Sequence, residues 1–554
     1  MKKQLLYLAV LVAGLFTSCS DNFLTREPAG SVINQEQFDK LDNTLEGSMQ
    51  GVYGLVYSSF GDGQDTFGKR ALDLYTDIFS GDIAMQNYNY GWFYYDERML
   101  TSTNRNGRAW FYYYRMLRNI NKVIAAVKVQ DINVLDSIAV YGFPSQNNHT
   151  YTESEAQIAS YYAQALTMRG FCYLGLMLLF EPSPLHLQKI GKTFETYQAI
   201  PVYTENNMNN PQPYSNSAAV YQQIEKDLTD AIEYFDEFKS FSALARESKL
   251  QADINTARAL LAYAMLNKGT YYNSSNATAI DAYTKASKYA NDVITSGQYT
   301  IIPNAEVLTT GFNDVNHSSW MWGQDVNTET SGMLNSFWGH VDIYSYGYAW
   351  LGDGKILDSN LKAIIPAWDN RQNWFNDGSV DSDFKDCPSG KFFSNLNTEH
   401  STDDDKIDRQ WLSDNVFMRI ESVYLTAAEA EMRLGNEANA VALLNQITDQ
   451  RQTPEALADP TAYNAYKATL TGLNLAKAIE YNWRIEMWGE GYALQTFRRQ
   501  IVTPDDTDAT TKRVRGANHL DNANAEIVPD ERFTFDIPTN EIDYNPNIGK
   551  GDER

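Results

Sequence analysis

Flat aromatic side chains crowd two short stretches of this 554-residue chain. Tyr88, Tyr90, Trp92, Phe93, Tyr94 and Tyr95 make up one. Trp320, Trp322, Phe337, Trp338, Tyr344, Tyr346, Tyr348 and Trp350 make up the other. Asn87, Asn89, Asp325 and Asn335 are interleaved with them. An aromatic ring offers a large, rigid contact area at small entropic cost, and amides or carboxylates can address hydroxyls around it. That combination suits a molecule with an apolar C–H face and a hydroxyl rim, such as a sugar ring. The candidate ligand-binding set is therefore Asn87, Tyr88, Tyr90, Trp92, Trp338, Tyr344, Tyr346 and Trp350. Trp92, Trp338, Tyr346 and Trp350 are its leading members. About half of the aromatics should instead be core. Trp320 and Trp322 alternate like one face of a strand, and Phe93, Tyr94 and Tyr95 are expected to pack on the scaffold.

A glycosidase would want the same residue types, with two carboxyl groups about 5–5.5 Å or 6.5–9.5 Å apart. With 70 Asp and Glu, sequence spacing nominates no pair. Other catalytic signals are incomplete. Gly191-Lys192-Thr193 imitates the end of a phosphate-binding loop, but His186 stands where its first glycine belongs. Gly47-Ser48-Met49-Gln50-Gly51 lacks nucleophile-elbow spacing. The six histidines include no His-x-x-x-His pair for zinc. Asp381–Asp386 and Asp403–Asp405 offer oxygen ligands of the kind calcium takes, yet neither matches an EF-hand loop. A solvated acidic loop is the favoured reading, so no cofactor is expected. Arg498-Arg499 are read as balancing a helix dipole.

The elements that must position the aromatic loops are mostly helices. Apolar residues recur at three- and four-residue spacing over 36–57, 109–128, 155–180 and 217–238. The third stops at Glu181-Pro182-Ser183-Pro184, as a helix before proline must. Two helical hairpins follow. One pairs 256–268 with 279–296, where Ala282, Ala286 and Ala290 form a small-residue stripe. The other runs 423–434, turns at Gly435-Asn436 and continues over 437–448. Small residues at the crossings, as in tetratricopeptide repeats, let helix axes approach closely. A last helix is expected over 473–499. Helical periodicity fades from about 298 to 415, and the tail after about 500 reads as an ordered but irregular wrap with a frayed end. The expected fold is mainly α: a single compact unit with a tetratricopeptide-like scaffold and an irregular ligand-binding region.

The N-terminus carries a different message. Lys2 and Lys3 precede an apolar run from Leu5 to Phe16, then Thr17, Ser18 and Cys19. That order reads as a secretory signal; the run is too short for a ~30 Å hydrocarbon layer. Residues 1–18 are assigned to a lipoprotein signal peptide and Cys19 to lipidation. No further long apolar stretch is evident. The formal net charge of −25 disfavours nucleic acid as a partner. It also penalises acidic glycans at long range, unless a local basic patch overrides it. Of the remaining cysteines, Cys172 lies in an apolar helical run and is read as a buried thiol, so no disulfide scaffold is expected.

Several segments taken in order resemble the SusD/RagB family of Bacteroidota outer-surface lipoproteins. Cys19, Phe23, Leu24 and Pro28 resemble its opening. Trp110 to Val127 resembles its "W…Y…I…N" helix, and Met168-Arg169-Gly170-Phe171-Cys172-Tyr173 its "LRAFYY" helix. Leu178-Leu179-Phe180-Glu181 and Pro184 follow, with Glu181 where glycine is usual. Ile200-Pro201-Val202, then Arg419 to Glu429, then Arg484-Ile485-Glu486, Gly489-Glu490-Gly491 and Arg498-Arg499 complete the series. The resemblance divides the chain into 19–297, an irregular aromatic-rich 298–415, and 416–554. It implies a four-repeat scaffold and a non-catalytic protein, lipid-anchored in the outer membrane at the cell surface. Such a protein captures oligosaccharide for a SusC-like TonB-dependent transporter. The alternatives are a peptide-binding or structural surface lipoprotein on the same scaffold, and, less favoured, a glycoside hydrolase.

Overall fold

The computed structural model describes residues 44–130, 133–327, 329–332, 334–379, 382–392 and 413–548. Residues 48–554 make one compact unit; of 1–47, only the opening turn of the helix Thr44–Tyr57 is described. Cys19, the signal segment and Asp403–Asp405 lie outside the described residues.

Among the described residues, eight helices follow one another, each packed on its predecessor: Asn104–Val127, Glu153–Phe180, Ser217–Glu237, Ile254–Gly269, Ala277–Thr295, Ile420–Arg433, Glu437–Thr448 and Gly472–Glu486. Local chemistry starts most of them. The Thr103 and Thr152 side chains accept N–H bonds from Arg105 and Glu155, within capping boxes completed by Asn106 and Glu155. Asn216, Asp253 and Asn276 cap the next three. Close approach comes from missing side chains. A Cβ on Gly170 would lie 2.7 Å from Leu228 Cγ, and one on Gly175 would collide with the Tyr113 ring. Ala282, Ala286 and Ala290 are buried as expected. Glu153–Phe180 is long and apolar enough to cross a membrane, but 94% of its most apolar window is buried inside the fold, where it is the central core helix.

The expected 473–499 helix is two helices. Gly472–Glu486 ends before Gly489 and Gly491, both at positive φ (75° and 85°), and Ala493–Arg498 starts beyond them. Only glycine takes that conformation freely. The turn docks on Asp77, whose carboxylate accepts the N–H groups of Gly491 (3.1 Å) and Ala493 (3.0 Å). The adjoining arginines do more than balance a dipole. Arg499 makes a bidentate pair with buried Glu429 (3.0 and 2.8 Å), and Arg498 donates to the carbonyls of Leu178 and Glu181.

A buried ionic cluster joins the irregular region to these helices. Glu486 accepts from Arg371 (3.0 Å), Arg419 (2.7 Å) and Arg451 (2.8 Å). Arg419 also pairs with Glu490 and Glu421, Arg371 with Asp369, and Lys391 with Glu490. Four cations thus meet four carboxylates away from water. Such a cluster holds only while every member is present, because an unpaired buried charge is costly.

Two short antiparallel pairings tie distant segments together. Trp320–Gln324 pairs with Asn415–Arg419, with irregular register at both tryptophans. Trp320 and Trp322 are buried, as their alternation implied. Ile83–Met85 pairs with Lys355–Leu357, Ile83 opposite Leu357 and Met85 opposite Lys355. The tail is the expected wrap: Phe533 and Phe535 pack on Phe79, and the Phe535 N–H donates to Leu179 O (2.9 Å). Cys172 and Cys387 are both buried free thiols.

A candidate aromatic binding platform

The second of those pairings builds the site. It continues past its last rung, where the Gln86 N–H donates to Gly354 O (2.9 Å). Chain leaving one strand at Gln86 therefore runs beside chain entering the other at Gly354. Asp353 completes the join. Its Oδ1 and Oδ2 accept the backbone N–H groups of Asn89 (3.0 Å) and Tyr90 (2.9 Å). Asp353 is buried, so these charge-assisted bonds are poorly replaced by water. Glycine permits the bend before it, since Gly352 has φ 96°. The buried Lys355 amine donates to Asp353 O (3.0 Å).

With the loops joined, their aromatics meet. The Tyr90 ring lies 5.1 Å from Tyr348 and Trp92 6.1 Å, both edge-on. Tyr346 and Trp350 pack at 5.6 Å, and Tyr88 lies on Tyr94 at 4.6 Å. Tyr88 and Tyr90 remain 44% and 48% exposed, and Trp92, Tyr346 and Trp350 are half-buried. Asn87 is exposed, its side-chain oxygen accepting the Tyr88 N–H (2.8 Å). Beneath the platform, Tyr348 stacks on His340 (4.7 Å) and His340 on Phe67 (5.4 Å). Burial, assisted by the Lys355 charge, holds the His340 pKa well below its ordinary value. The imidazole is therefore neutral and donates from Nε2 to Gln64 O (2.6 Å). It is a stacking support, not a proton carrier.

Seven of the eight expected residues lie on the two joined loops. Trp338 does not. It is 2% exposed, on the short helix Phe337–Val341, whose Ser336 cap turns it inward against Phe337 and Phe392. It instead lines a separate cavity of about 360 Å³ with Arg70 and Asn335. Tyr344 stands at the platform's edge. It packs on the cluster of Ala84, Ile343, Ala349, Ile356 and Cys387, and burial raises its phenol to about 12. Of the residues expected to be scaffold, Phe93 is buried, but Tyr95 is 45% exposed. The residue that sequence reasoning passed over is Tyr348. It lies on the same alternation as Tyr344, Tyr346 and Trp350, and that period was its signal.

None of the platform's residues lines a second cleft in the molecule. That cleft, of about 930 Å³, runs along the outer side of Asn104–Val127. Among the described residues no group of three or more His, Cys, Asp or Glu is placed to hold a metal.

An array of successively packed helices carries the joined pair of aromatic loops. A SusD family model matches residues 260–550, and the chain belongs to the SusD family. Among curated proteins it is 25% identical over 322 residues to a SusD-like protein of Bacteroides ovatus, an alignment covering 58% of this chain. The chain spans about half (49%) of the length of that relative. Solved structures share the whole architecture. A SusD superfamily protein from Bacteroides thetaiotaomicron superposes with TM-score 0.64 at 21% identity, covering 92% of this chain and 98% of that one. A SusD-like carbohydrate binding protein from Bacteroides vulgatus gives 0.63 at 19%, covering 91% and 96%. At such identities the likeness is one of fold.

Proposed function

We propose that this protein is a non-catalytic, cell-surface glycan-binding lipoprotein. It captures oligosaccharide on the Tyr88–Trp92 and Tyr346–Trp350 platform and passes it to a SusC-like TonB-dependent transporter in the outer membrane. The observation that carries the reading is the joining of two aromatic loops, one exposed and one half-buried, by the Asp353 carboxylate. A preformed array of half-exposed rings offers apolar faces to successive sugar units at little ordering cost. The open geometry suits a long chain better than an enclosed small molecule. Family membership supports the transporter partnership, and the Lys2 to Cys19 segment supports the lipid anchor.

Calorimetric titration of the soluble chain, starting after Cys19, against neutral and acidic oligosaccharides tests the proposal. Binding of one class, with intact ligand after overnight incubation, is expected. Cleavage products would overturn the non-catalytic reading. Silence across the panel with binding of peptides would assign the platform to peptide capture.

A further inference from the structure

The helix Asn104–Val127 turns a second recognition surface to solvent. Phe111, Arg115, Arg118 and Lys122 recur at spacings of four, three and four residues, and so share one helix face. All four are exposed, Phe111 by 54%. Arg105 and Arg108, earlier on the same helix, are paired with Asp65 and Asp96. Among the described residues, Arg115, Arg118 and Lys122 have no such partner. Like charges at these spacings repel one another, and a chain of net charge −25 has carboxylates to spare. Three adjacent unpaired cations therefore point to an anion from outside.

The stripe borders the 930 Å³ cleft, which Phe111 and Arg118 line directly. That volume is within the range of small-ligand sites. The opposite wall comes from the C-terminal wrap, with Asn540 and Glu541, and the two walls are bonded together. Trp110 Nε1 donates to Glu541 Oε2 (3.3 Å) and Asn106 Nδ2 to Asp536 O (2.8 Å). Glu541, the carboxylate facing the cleft, also accepts from Asn545 Nδ2 (2.7 Å), so each of its oxygens is held by one protein donor. Arg108 at the rim is shared with Asp65. Arg118 is the cation left for a ligand.

We infer that this cleft binds an acidic oligosaccharide. Phe111 covers a sugar face, and Arg118, flanked by Arg115 and Lys122, pairs with a carboxylate or sulfate. The amides of Asn104 and Asn540, which also line the cleft, address hydroxyls. A concave, amide-lined wall favours a saccharide over a flat membrane surface. The cleft shares no lining residue with the aromatic platform, so the inference stands whether or not the platform binds glycan.

The test is calorimetry of the soluble chain with an oligogalacturonide, a chondroitin sulfate oligosaccharide and a neutral oligosaccharide. Arg118→Gln and Phe111→Ala are compared with Trp350→Ala. Both cleft substitutions are on the surface, and unchanged melting temperatures verify the fold. Each should weaken an acidic ligand by about tenfold or more and leave neutral binding unchanged. Preference between the two acidic probes tells carboxylate from sulfate. The inference is overturned if neither acidic probe binds, or if acidic binding survives Arg118→Gln or disappears with Trp350→Ala. Binding to phosphatidylglycerol vesicles that requires Arg118, without saccharide binding, would overturn it in favour of an anionic membrane surface. Loss of neutral binding alone would refute only the platform.

Discussion

Trp338 and Trp350 belong to one aromatic run, yet replacing each by alanine should fail in a different assay. Trp350 is half-buried on the platform, so Trp350→Ala, like Trp92→Ala, should lower oligosaccharide affinity by about tenfold or more at unchanged melting temperature. Trp338 is enclosed by Phe337 and Phe392, and Trp338→Ala leaves a cavity that costs about 3–5 kcal/mol of stability. Denaturant titration beside calorimetry separates the two. Residue type alone could not sort these rings. Both tryptophans have the same chemistry, and what differs is the packing around them: Trp338 lies against Phe337 and Phe392, and Trp350 against Tyr346.

At the scale of elements, the platform exists because Asp353 holds one loop against another. Asp353→Ala leaves the part-buried N–H groups of Asn89 and Tyr90 without their charged acceptor, at about 1–3 kcal/mol. It should raise amide exchange at Asn89 and Tyr90 and weaken ligand binding while the helical array stays intact. Hydrogen exchange read by mass spectrometry checks this. The ionic cluster under the Gly472–Glu486 helix is a harsher test. Glu486→Gln leaves Arg371, Arg419 and Arg451 short of charge and should cost about 3–5 kcal/mol, seen as a lower denaturant midpoint. The motif Arg484-Ile485-Glu486…Glu490 was legible in the sequence, but its purpose was not. Its partners Arg371, Arg419 and Arg451 come from three other segments.

For the whole molecule, the buried carboxylates divide into two classes with opposite pH behaviour. Burial alone would raise Glu486, but Arg451 and Arg419 outweigh it and hold its pKa well below the usual range. A lowered folded pKa gives stability that is present above the unfolded value of about 4.3 and lost as pH falls below it. Glu181 and Asp77 go the other way: burial raises each to about 7, more than their hydrogen bonds offset. The unfolded chain ionises these groups near pH 4 and the folded chain only near 7. Their contribution is therefore lost as pH rises between those values. Glu181→Gln should accordingly gain about 1–3 kcal/mol at pH 8 and nothing at pH 4, read from denaturant midpoints at the two pH values. The glutamate at the family's usual glycine position is thus tolerated rather than needed for stability. Its backbone carbonyl, not its carboxylate, receives Arg498.

The sequence by itself determined the helices, because apolar spacing and capping residues act within a turn or two. It placed Trp320 and Trp322 in a buried strand for the same reason, and the ordered motifs pointed to the family. The tertiary structure alone decided which aromatics face outward and that the two loops meet. It also decided that the last helix breaks at Gly489 and Gly491. Each of these depends on partners far away in the chain: Ile83–Met85 on Lys355–Leu357, Asn89 and Tyr90 on Asp353, and Gly491 on Asp77. Such pairings are set by how the whole chain packs, and no local period records them.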